Sequence, residues 1–141
     1  MDRSYITVGE KAGERFFSKN HEGPVHMLNL LRFKEVADYS SFPDLNPGNP
    51  ISGAQAYALY IKNVSPLLNA IGSEIVFSGK ADHFLIGPDE EKWDMGILVK
   101  HLDMKDFLAF ASNPDYLAIA GHRTAALADS RLLPLKEGGL F

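Results

Sequence analysis

Between residues 25 and 33 the chain is apolar in both of its alternating sets. Val25, Met27, Leu31 and Phe33 share one set with Asn29, while Leu28 and Leu30 share the other with His26 and Arg32. Successive side chains of a strand point to opposite faces. The pattern therefore predicts a strand covered on both sides. A different period follows at Tyr57, Tyr60, Ile61, Val64, Leu67, Leu68 and Ile71, which recur at i, i+3, i+4 and i+7 and predict an amphipathic helix. Ser52 and Gln55 open it as a capping box. Pro66 removes a hydrogen bond and should kink it, and Gly72 suits its stop.

Thr7 and Glu10 form a second capping box, predicting a helix over 8–19 with Val8, Ala12 and Phe16 on one face. Residues 34–52, with Pro43, Pro47, Gly48 and Pro50, form a connection long enough to be functional or mobile, and a lid is the expected role. Residues 74–87 predict one bent strand or two short ones, with a bulge at Gly79. After the Gly87-Pro88 turn comes a strand over 93–101. Asp103 caps a helix that buries Met104, Phe107, Leu108 and Ala111. Asn113 and Pro114 open another, running to about 128 and weakened at Gly121. Asp129 to Arg131 reads as a turn, and 130–135 as a last strand.

The order is a helix followed by β-α-β-β-α-β, which defines an α+β, ferredoxin-like arrangement with a four-stranded antiparallel sheet. Residues 1–23 form an N-terminal helical extension, 24–135 the domain, and 136–141 a tail left undefined. Helices cover one face of such a sheet. The other face is also apolar here, and a second copy is its simplest cover, because a two-fold interface uses one patch twice. A homodimer whose sheets close around a shared interior is expected.

The run from Pro24 to Lys34, the helix carrying Tyr57, Tyr60, Pro66 and Gly72, and the segment Asn113-Pro114-Asp115-Tyr116 with Ile119, His122, Arg123, Asp129 and Arg131 make residues 24–135 similar to the uncharacterised DUF1330 group of the dimeric α/β-barrel superfamily. The resemblance implies the fold and a homodimer, and it implies no reaction. The superfamily spans cofactor-free monooxygenases, muconolactone-type isomerases, haem-dependent enzymes and ligand-sensing domains, so fold alone does not choose a chemistry.

Composition narrows the classes. The 141 residues fit one domain. The net charge is −4 with Lys and Arg scattered, which gives no basic face for nucleic acid. The absence of cysteine excludes thiol chemistry and disulfides. There is no signal-peptide pattern and no apolar run near the ~18–20 residues of a membrane span. The cytoplasm is the expected location, with neither nucleic acid nor membrane as a partner. His21, His26, His83, His101 and His122 show no metal-ligand spacing. Asp82 and His83 are adjacent in an extended segment and should point apart. No nucleotide-binding glycine pattern or nucleophile elbow occurs. No metal or cofactor is expected, with haem alone left open because one His can serve as its axial ligand.

Asn29, mid-strand among apolar neighbours, is either a structural amide or a polar anchor in a pocket. Arg32 is a rim ion pair or an anion ligand. Tyr57 and Tyr60 lie on the apolar stripe of their helix, as core or with a hydroxyl facing a ligand. Trp93 packs in the core or stacks on a flat ligand. His122 is suited to proton transfer and Arg123 to holding a carboxylate or enolate. Helical neighbours diverge by about 100°, so the two meet one ligand only if Gly121 disturbs the helix. Asp129 or another carboxylate is the plain structural partner for Arg123. The expected function is small-molecule binding by a homodimer, with His122 and Arg123 catalytic and Asn29, Tyr57, Tyr60 and Trp93 on the substrate. Its enzymatic form is a cofactor-independent isomerase or monooxygenase for a small aromatic or carbonyl compound. The alternative is a non-catalytic binding or structural module.

Overall fold

β1 (Val25–Phe33) carries apolar residues on both faces and runs inside the sheet, with a strand paired along each edge. The computed structural model describes residues 4–19 and 21–138. Their elements run α1 (Glu10–Phe17), β1, α2 (Gly53–Ala70), β2 (Glu74–Lys80), β3 (Met95–His101), α3 (Met104–Ala111), α4 (Pro114–Ile119), α5 (Gly121–Ala126) and β4 (Leu127–Lys136), with a 3-10 turn at Pro43–Leu45. The sheet order is β2-β3-β1-β4, and every neighbouring pair is antiparallel. This is the split βαβ, ferredoxin-like topology.

The odd residues of β1 face the helices. Val25 and Met27 pack with Met104, and Leu31 packs with Tyr57, Ile97, Ala125, Ala126 and Leu127. The even residues share the opposite face with their register partners. Leu28 stands beside Leu98 and Leu133, Leu30 beside Gly96 and Arg131, and Phe77 beside Leu98. Phe77, Leu133 and Leu135 are exposed there. No described helix lies on that side as part of the core clusters.

Several boundaries differ from the sequence pattern. α1 starts at Glu10 with Gly9 as an N-cap that makes no side-chain bond, so Thr7 caps nothing. Upstream of it, Tyr5 and Ile6 are tied by hydrogen bonds to Asp129, Ser130 and Arg123. β2 ends at Lys80, and its irregularity falls at Val76, between Ile75 and Phe77. Gly79 pairs regularly with Gly96. The predicted helix to 128 divides at Ala120, and β4 begins at Leu127. Asp129, Ser130 and Arg131 are strand residues opposite Arg32, Leu31 and Leu30, because β1 extends far enough to offer them a ladder. Asp82 and His83 do not diverge: their side chains meet at 3.0 Å in a segment with only an isolated bridge. α2 continues through Pro66 to Ala70. Gly72 ends it at φ 76°, as its left-handed position requires.

The connection between β1 and α2 is pinned rather than loose. Lys34 and Asp38 donate to the carbonyls of Ala126 and Ala125, and Ala37 donates to Ile51. Tyr39 is buried, and Phe42 and Leu45 pack on the core. A Cβ at Gly121 would come within 2.6 Å of Phe42 and 2.7 Å of Leu45, so a larger residue there would push those side chains aside.

Among the described residues no helix is long and apolar enough to cross a membrane. No group of His, Asp and Glu there is arranged to hold a metal ion.

Candidate functional site

The break at Ala120 decides what the two candidate catalytic side chains face. His122 is buried, and its Nδ1 lies 2.7 Å from the Tyr39 hydroxyl. Burial lowers its pKa, which favours the neutral imidazole. Arg123 turns the other way and donates through Nη1 to the Ile6 carbonyl at 2.7 Å. The two residues therefore serve different surroundings, and Gly121 does not bring them onto one point.

Arg123 lies among tyrosines. α2 supplies Tyr57 and Tyr60, whose rings are 5.3 Å apart, and α4 supplies Tyr116. The Tyr60 and Tyr116 hydroxyls are 3.3 Å apart. Burial raises the Tyr57 pKa to about 12, with Arg123 offsetting part of the rise. Burial also drives the Tyr60 pKa well above the ordinary phenol range. Tyr57 and Tyr60 thus stay protonated near neutrality and cannot balance the guanidinium charge. Nor does a carboxylate: among the described residues Arg123 forms no ion pair.

Asp129, the partner expected for Arg123, is engaged elsewhere. It pairs with Arg131 at 2.6 Å and Arg32 at 3.2 Å, and it accepts from the Tyr5 and Ser130 N–H groups. Burial alone would raise its pKa, but these donors outweigh burial and hold it below the usual value. Arg32 is thus the rim ion pair of the two readings open to it.

Trp93 is buried, with Arg131 at 5.0 Å and Arg32 at 5.7 Å over its ring. A guanidinium holds the stacking position foreseen for a flat ligand. The indole N–H has no partner among the described residues. Asn29 faces the helix side and donates to the Met27 carbonyl at 3.2 Å. It stays partly exposed, and its register partner Leu132 is 43% exposed. Its other register partner, Ile97, is buried in the core, so the opening lies only toward β4.

The structure therefore gathers Arg123, Tyr57 and Tyr60, and leaves His122, Trp93 and Asn29 in separate settings. It adds Tyr116, which shares the Arg123 stripe in sequence, and the Ile6 carbonyl and Tyr39, for which periodicity holds no signal. Two recesses open elsewhere. One of about 270 Å³ lies within the long connection, against Val36, Tyr39, Asn46 and Ile51. One of about 450 Å³ lies between the end of α1 and α3, against Phe17, His21, Met104 and Leu108. None of the six predicted site residues lines either.

Antiparallel order and helix placement make the chain a ferredoxin-like α+β protein. It is similar over this whole architecture to a Rhodopseudomonas palustris protein of unknown function, RPA0582. Against the methylated RPA0582 structure the identity is 32% over 99% of this chain and 98% of that one, with a TM-score of 0.86. A second RPA0582 structure gives 31% identity, 97% and 99% coverage, and a TM-score of 0.85. The chain belongs to the RPA0582 family. At3g17210 of Arabidopsis thaliana shares the fold at 15% identity, covering 83% of this chain and 98% of that one with a TM-score of 0.51. No protein-family model and no curated protein matches the chain.

Proposed function

We propose that the protein is a homodimer that binds a small organic molecule on the helix side of each sheet, at Arg123, Tyr57, Tyr60 and Tyr116. One observation carries the site: a guanidinium, set among tyrosine rings, with no acidic partner among the described residues. Sites for small molecules pair apolar walls with a few placed polar groups, and that description fits this cluster.

The dimer part of the reading rests on the apolar sheet face that carries Leu28, Leu30, Phe77, Leu98, Leu133 and Leu135. A contiguous apolar surface of this kind is an interaction surface, and a two-fold partner covers it with its own copy.

Binding is favoured over proton-transfer catalysis by His122, because that ring is buried and committed to Tyr39. Light scattering combined with native mass spectrometry against a panel of small acids, lactones and aromatic carbonyl compounds tests the reading. The expected result is a mass of two chains that retains a panel member. A one-chain mass with nothing retained rejects it, and turnover of a retained compound that is lost in His122→Ala restores the catalytic role of His122.

A further inference from the structure

Resting on the binding reading above, we propose that the ligand is a small organic acid whose carboxylate docks on Arg123, taking the position at Nη1 that the Ile6 carbonyl holds when the site is closed. The hydrogen-bond inventory points to an anion. The guanidinium offers donors only. Tyr60 and Tyr116 share one hydroxyl proton between them at 3.3 Å, so one O–H of the pair remains to be given away. Tyr57 lies beside Arg123 and stays protonated. A cluster of donors with one net positive charge matches a planar monocarboxylate, which accepts from an Arg fork and a hydroxyl together. A single guanidinium favours a monoanion over a phosphate dianion. The surrounding rings, with Phe33 at 5.4 Å from Tyr57 and Phe110 at 4.5 Å from Tyr116, favour an apolar body on the acid.

The closing element is the segment from Tyr5 to Ile6. The ties that hold it include Tyr5 N–H to Asp129 at 2.8 Å, Ser130 Oγ to the Tyr5 carbonyl at 2.5 Å and Arg123 to the Ile6 carbonyl, and Ile6 also packs on the core. A neutral carbonyl is a weaker partner for Arg than a carboxylate, so exchange favours the acid. The fold also carries a reporter of that exchange. The Tyr5 ring lies 4.8 Å from the Arg131 guanidinium, which lies 5.0 Å from the ring of Trp93, the sole tryptophan. Release of the segment removes one side of this stack.

Acetate, butyrate and cyclohexanecarboxylate are titrated against their primary amides by calorimetry, with Trp93 emission followed in parallel. The expected result is saturable binding of the acids with an emission change, and at least ~10-fold weaker binding of the amides. Arg123→Gln should lose acid binding, and Arg123→Lys, which keeps the charge, should retain a weakened form. Circular dichroism and the two-chain mass confirm that both variants are folded. Amides bound as well as acids, or acids bound as well by Arg123→Gln, overturn the anion assignment while leaving small-molecule binding intact. Acid binding without an emission change overturns the exchange at Ile6. If neither acids nor neutral compounds bind, both readings fall.

Discussion

Tyr39 and His122 meet through a 2.7 Å hydrogen bond, although 83 residues separate them in sequence. The contact joins the long connection to α5, one residue before Arg123. Both side chains are buried, so removing the hydroxyl leaves an imidazole nitrogen without its partner. Tyr39→Phe should therefore cost about 1–3 kcal/mol, read as a lower urea midpoint at unchanged slope. Because His122 and Arg123 diverge, carboxylate affinity should change little in this variant. A loss of affinity as large as that of Arg123→Gln would mean that the connection positions Arg123 directly.

Leu98 lies mid-sheet on the face without helices, between Leu28 and Phe77 in register. Leu98→Glu places a carboxylate at the centre of the surface we assign to the dimer. An unpaired charge at such an interface is strongly unfavourable. Dimer dissociation should rise by on the order of 100-fold, about 2.7 kcal/mol. Sedimentation should show single chains that keep their secondary structure. Unchanged dimers would move the interface elsewhere.

The parts of this fold that could be read from the sequence are those whose signal is local and repeats. β1 announced itself through two apolar sets, α2 through its stripe and capping box, and the element order through their succession. What failed depended on partners distant in sequence. α1 starts at Glu10 rather than Val8, and the residues before it, Tyr5 and Ile6, are bonded to Asp129 and Arg123 from far along the chain. Asp129 to Arg131 look like turn residues until the end of β1 is seen to offer them a ladder. Arg123 could be singled out by its residue type and stripe, but its separation from His122 depends on the break between α4 and α5 at Ala120. That break lies where Phe42 and Leu45 crowd Gly121, a contact that no spacing encodes.

Gly53 opens α2 where three backbone segments converge. Its N–H donates to the Lys34 carbonyl at 2.9 Å. An added Cβ would press on that carbonyl and approach the Ala126 carbonyl at 2.6 Å and the Lys34 nitrogen at 2.7 Å. These are backbone atoms that also bond each other, Lys34 N–H to the Ala126 carbonyl at 2.8 Å, so they cannot rotate away. Gly53→Ala should cost about 3 kcal/mol and lower the melting temperature by several degrees. An unchanged melting temperature would show that the junction yields more easily than its bonding implies.

His101 ends β3 buried, with Nδ1 2.7 Å from the Ser73 hydroxyl and its ring 4.6 Å from Phe107. Burial disfavours the charged ring and lowers its pKa to about 4 from an ordinary 6.5. Below pH 6.5 the unfolded chain takes up this proton, while the folded chain resists until about pH 4. The unfolded state thus binds more protons in that window, so stability must fall as pH drops through it. At about 1.4 kcal/mol per pH unit, the full fall attributable to this residue is on the order of 3 kcal/mol. Urea midpoints measured from pH 7 to pH 4 should decline, and His101→Gln, which carries no titrating group, should show a shallower decline by up to one proton. Equal slopes for the two proteins would mean that the ring is reached by water and is charged in the native state.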